Sequence, residues 1–109
     1  AAPDGSLWVT LYGSGKLVQV DSAGRKVLRE IALPAGPRGG PYAVTVDGAG
    51  TVWVNEISTD TVVRLDPRSG ELRVIQLPSK GVGIRKMIVD ARGQLWYMGS
   101  HNGRLGVVR

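Results

Sequence analysis

One histidine and one glutamate carry the chemistry that this sequence offers. His101 is the single His among 109 residues, and imidazole is the side chain best matched to proton transfer near neutral pH. It stands in the run Gly99-Ser100-His101-Asn102-Gly103, where the flanking glycines permit a tight turn and leave the ring accessible. Glu56 follows Trp53 by three residues, at the tip of the apolar run VWVNE. A carboxylate and an imidazole brought together can share a divalent metal ion or a proton. The plainer reading of each is a polar residue near a turn, bonded to adjacent backbone. Other chemistries find no support. Cys is absent, which removes disulfides, thiolate metal sites and cysteine nucleophiles. GSGK at 13–16 lacks the upstream spacing and the following helix of a P-loop. No nucleophile elbow or His pair at metal spacing occurs.

The elements that must position these residues follow from an internal period. DGSLWVT (4–10), GAGTVWVN (48–55) and ARGQLWYM (91–98) align on Trp8, Trp53 and Trp96. KLVQVD, TVVRLD and RLGVVR follow them in turn, and EIALP matches VIQLP further on. All keep one spacing of about 44 residues, the length of a four-stranded propeller blade. In the complete middle unit the pattern predicts strands over 42–46, 51–57, 61–66 and 72–77. Their β-branched content and the turn residues between them, such as Asp66-Pro67-Arg68-Ser69-Gly70, fit short antiparallel hairpins. The connections are too short for helical crossovers. The expected fold is all-β: a β-propeller fragment of about two and a half four-stranded antiparallel blades. Its units run approximately 1–34, 35–78 and 79–109, and the tryptophans pack between blades. The first unit lacks its innermost strand and the third its outermost, so the remaining blades of a parent propeller are expected partners. Alone, the chain is expected to associate through its open blade faces.

Up-and-down topology then selects a face. The hairpins between second and third strands, at 12–15, 58–60 and 100–103, open on the same side as the links 34–41 and 78–85. That side gathers Tyr12, Arg38, Tyr42, Glu56, Asp60, Lys80, Arg85, Lys86, His101 and Asn102. Within it His101 is the candidate base and Glu56 the candidate metal ligand. Tyr42, Arg85, Lys86 and Asn102 are the candidate substrate contacts. Arg85 and Lys86 should lower the pKa of His101 and keep it neutral.

Composition narrows the partners. The formal charge is +5, but the cations Lys16, Arg25, Lys26, Arg64 and Arg73 are scattered, without the stacked aromatics of an RNA-binding surface. No nucleic acid is expected. No apolar run approaches the roughly 20 residues of a membrane span, so no membrane is expected either. The reading is of a soluble protein, with periplasm and cytoplasm both open.

The unit D-x-x-G-x-(L/V)-W-(V/Y), a short hairpin, a strand ending (I/V)-x-(V/L)-D and a strand closing in L-P together resemble the streptogramin lyase (virginiamycin B lyase) family of propellers. The likeness covers essentially the whole chain, although NHL-type and lactonase-like propellers share much of the pattern. It implies elimination across the ester linkage of a cyclic peptide, with Mg2+, a His as general base and Glu at the metal. On this chain those roles fall to His101 and Glu56. The family pattern sets a Glu three residues after the Trp and a His two further on. Here Gly99 stands at the first position behind Trp96, and Ser58 at the second behind Glu56. The competing expectation is a non-catalytic propeller that binds a small molecule, a cyclic peptide or a protein.

Overall fold

The computed structural model describes residues 3–24, 26–77, 84–99 and 105–108. Ten strands form three antiparallel meanders. The first holds β1 (Leu7–Leu11), β2 (Lys16–Val20) and β3 (Val27–Ala32). The second holds β4 (Pro41–Val46), β5 (Val52–Glu56), β6 (Thr61–Asp66) and β7 (Glu71–Gln76). The third holds β8 (Ile84–Val89), β9 (Leu95–Gly99) and β10 (Leu105–Val108). This is the all-β, partial-propeller architecture expected from the sequence. Where strand was expected through residue 57, β5 stops at Glu56 and a 3-10 turn spans Ile57–Thr59. Asp60 closes that turn in the left-handed region, at φ 53°, with its N–H on the Ile57 carbonyl. Among the described residues no helix is long and apolar enough to cross a membrane.

Aspartate-centred turns fix where the second strands begin. Asp47 Oδ1 accepts the N–H groups of Ala49 and Thr51 at 3.0 Å, and its Oδ2 accepts the Trp53 indole N–H at 3.2 Å. Asp90 does the same for Arg92, Gln94 and the Trp96 indole. Each carboxylate therefore satisfies turn amides and orients the Trp six residues on. The register across the three sheets is equivalent. Trp8 pairs with Gln19, Trp53 with Arg64 and Trp96 with Val107, each eleven residues ahead.

Strand alternation then sends neighbouring residues into different cores. Trp53 points to the third sheet, into a cluster with Val62, Leu77, Ile84, Met87, Leu95 and Tyr97. Val52 and Val54, on either side of it, point to the first sheet and meet Trp8, Leu17 and Leu33. The middle sheet is thus buried on both faces, as stacked blades require. Gly106 makes close approach possible in the third sheet, since a Cβ there would collide with the Tyr97 ring.

Candidate functional site

The hairpin and link expected on one face are joined by hydrogen bonds. The link after β3 starts against the first hairpin, where Leu33 N–H donates to the Gly15 carbonyl at 3.1 Å. Gly15, at φ 66°, leaves room for the link: a Cβ there would overlap the Gly36 carbonyl. The link then crosses the second hairpin. Ser58 N–H donates to the Gly39 carbonyl at 3.0 Å, Ser58 Oγ to the Arg38 carbonyl at 2.5 Å, and Ile57 N–H to the Gly40 carbonyl at 3.1 Å. Tyr12 lies over Gly40, close enough that a Cβ on the glycine would sit 3.3 Å from its ring.

This crossing closes over Glu56. The side chain is 1% exposed, and its Oε2 accepts the Ala35 N–H at 3.1 Å. Gly39 packs so tightly that a Cβ there would stand 2.5 Å from the same oxygen. Burial pushes the Glu56 carboxyl above the ordinary carboxylate range, against the opposing pull of the Ala35 N–H. The group lies beneath the linker. Through the Ala35 N–H it ties β5 to the link.

Of the other candidates, Tyr42 and Lys86 fall among the described side chains. Tyr42 is 45% exposed at the start of β4, with its carbonyl accepting the Thr10 hydroxyl at 3.0 Å. Lys86 lies across from Met98 on the rear of the third sheet, beside Ile88, Trp96 and Leu105. The register shift between Ile84 and Lys86 sets the side of the sheet on which it lies. His101 and Asn102, the side chain of Arg85, and Lys80 lie outside the described residues.

Sequence reasoning missed Asn55. Register shifts in β4 between Pro41 and Val44, so the Tyr42 and Ala43 N–H groups cannot both find regular ladder partners. Asn55 Oδ1 accepts both, at 3.3 and 2.7 Å, while its Nδ2 donates to the Ile84 carbonyl of the next sheet at 3.1 Å. It is 1% exposed. An amide within the apolar run VWVNE was the available signal, since a buried amide must be fully bonded.

The described donors do not fit the magnesium ion that the family resemblance implies. Mg2+ wants ionised oxygen ligands in octahedral array. Glu56 is enclosed beneath the link and its Oε2 already accepts the Ala35 N–H. Among the described residues no three His, Cys, Asp or Glu side chains gather as a metal site.

No family model matches the chain. A 32-residue stretch is 50% identical to an uncharacterised protein of Sulfolobus acidocaldarius, covering 29% of this chain and 12% of that protein. The fold is similar to virginiamycin B lyase from Staphylococcus aureus, with TM-score 0.84 and 25% identity over 98% of this chain. A catalytically inactive form of that lyase with quinupristin matches at TM-score 0.80 and 23% identity, over 99% of this chain. Hydrazine synthase from Kuenenia stuttgartiensis matches as well, at TM-score 0.80 and 19% identity over 98% of this chain. The chain spans 35%, 39% and 30% of those three. These likenesses establish a propeller-type fold. Two unrelated chemistries at one level of likeness show that the fold does not select the reaction.

Proposed function

We propose that this chain is the ligand-facing segment of a non-catalytic propeller, with the crossing of link and hairpin as its binding surface. The enclosure of Glu56 carries the reading, because this carboxylate, the candidate metal ligand, is engaged in holding the link in place. What the surface offers instead is aromatic and cationic. Tyr12 is 59% exposed, and Tyr42 and Arg38 are also exposed. Such groups suit stacking and hydrogen bonding to a cyclic peptide or a small aromatic molecule. Quinupristin is the probe, chosen because a similar fold is found with it. Calorimetric titration should detect binding without turnover. Tyr42→Ala should weaken that binding by roughly tenfold, the cost of a lost aromatic contact. Unchanged affinity in that variant would overturn the assignment.

A second reading rests on the likeness to virginiamycin B lyase over almost the whole chain. There His101 would remove a proton beside the ester and the ester C–O bond would break by elimination, opening the ring. Mass spectrometry separates the two readings: an opened ring, lost in His101→Ala with an unchanged melting temperature, selects the lyase. Intact quinupristin leaves the binding surface.

A further inference from the structure

The turn that sets the tryptophan in the second and third sheets is altered in the first. Asp47 and Asp90 stand six residues before Trp53 and Trp96, and each holds the indole N–H on its Oδ2, at 3.2 and 2.9 Å. Six residues before Trp8 the sequence has Ala2, which offers no side-chain acceptor. Asp4 does not take over the task, because its Oδ1 accepts the Ser6 N–H at 2.9 Å and the Ser6 hydroxyl at 2.6 Å. Among the described residues the Trp8 indole N–H meets no acceptor, although the residue is only 8% exposed.

A second difference between the sheets leaves space beside the same ring. Arg64, which pairs with Trp53, lays its guanidinium 5.4 Å from the centre of that ring. Gln19 holds the equivalent position against Trp8 and turns instead to Ser6, donating to its Oγ at 2.9 Å. A depression of about 270 Å³ lies there, between the first and second sheets and on the side of the aspartate turns. Trp8 and Gln19 line it with Pro3, Pro67 and the glycine-rich run 48–50, and Asp4 and Arg68 add one charge of each sign. Both sheets that wall it lie within this chain and share one core, with Trp8 against Val52 and Val54. The depression belongs to an interface that the chain makes with itself.

We propose that this depression binds a small apolar carboxylate, one oxygen of which takes the Trp8 indole N–H as Asp47 and Asp90 take those of Trp53 and Trp96. An indole N–H can only donate, and a largely buried donor without an acceptor is costly. A ligand that brings the acceptor therefore supplies what the first turn lacks. A charged acceptor makes the stronger bond. The Arg68 guanidinium, held loosely by Asp66 at 3.6 Å, provides the countercharge and offsets the carboxylate of Asp4. The faces of Trp8, Pro3 and Pro67 suit a flat hydrocarbon body. The site lies on the opposite side of the sheets from the hairpin and link surface, and it stands whether or not that surface binds a ligand.

Benzoate is the probe, with benzamide as its uncharged counterpart. Nuclear magnetic resonance of the intact, nitrogen-15-labelled protein reads each indole N–H separately, and the Trp8 resonance is assigned by its loss in Trp8→Phe. That resonance should move saturably with benzoate, while those of Trp53 and Trp96, already held by Asp47 and Asp90, stay in place. Benzamide should bind about tenfold more weakly, the difference between a charged and a neutral acceptor. Ala2→Asp restores the carboxylate of the other two turns and should weaken benzoate by about tenfold or more, since the indole is then already bonded. An unmoved Trp8 resonance at high millimolar benzoate overturns the proposal. So do equal shifts at all three tryptophans, equal affinity for benzamide, or undiminished benzoate binding by a folded Ala2→Asp variant.

Discussion

At Glu56 two forces oppose each other, and their balance has a pH signature. Burial raises the pKa of its carboxyl above that of an ordinary glutamate, while the Ala35 N–H acts in the other direction. A carboxyl whose folded pKa is raised binds its proton more tightly in the folded chain than in the unfolded one. Its contribution to stability is therefore complete below the unfolded value and is lost as pH rises through the folded one. Glu56→Gln keeps an oxygen for the Ala35 N–H and removes the charge. The variant should melt higher than the parent at pH 7.5, and the two should converge near pH 4. A lower melting temperature for Glu56→Gln at pH 7.5 would mean that the carboxylate is ionised and counter-charged, and the binding-platform reading would lose its main support. Glu56→Ala strips the amide of its acceptor and opens a void, and should cost about 2 kcal/mol at either pH.

At the scale of elements, Asn55 links three strands in two sheets. It answers the shifted register of β4 with two accepted bonds and reaches β8 with a donated one. Asn55→Ala leaves the Ala43 N–H and the Ile84 carbonyl buried without this partner, and should destabilise the chain by about 2–3 kcal/mol in denaturant titrations. Asn55→Asp should fare no better, because a carboxylate cannot donate to the Ile84 carbonyl. A loss under about 0.5 kcal/mol for Asn55→Ala, the size of an ordinary surface change, would show that other groups hold the sheets together. The same strands explain what could be read beforehand. Trp8, Trp53 and Trp96 share one register because each follows its turn at a fixed distance, a local relation that a period of residues records. The side on which hairpin and link meet was likewise legible, since strand alternation dictates it. The environment of Glu56 was not. A position at the tip of a strand reads as open, and only the return of residues 35–39 over it, some twenty positions distant in the chain, closes it. The face that Lys86 takes was hidden for a similar reason: a register shift in β8 decides it, and register shifts leave no mark on a hydrophobic period.

For the molecule as a whole, the distribution of interfaces among the three sheets predicts a gradient of stability. The middle sheet has a neighbour on each face, with Val52, Val54, Val63 and Leu65 in one core and Trp53 and Val62 in the other. Among the described residues each end sheet packs on one face only. In a stacked array stability is close to a sum of intrinsic and nearest-neighbour terms, so end units open more readily than central ones. Amide exchange reports such local opening directly. At dilution where the chain is monomeric, β5 and β6 should exchange slowest. β1, β2, β8 and β9 should exchange faster, because the sheets that hold them can open while the middle sheet stays closed. The edge strands, β1 and β3, β4 and β7, β8 and β10, should be fastest within their own sheets, each with one paired edge among the described residues. Equal protection in all three sheets at dilution would mean that the chain unfolds as one cooperative unit, with sheet-to-sheet coupling stronger than a nearest-neighbour stack of this kind provides.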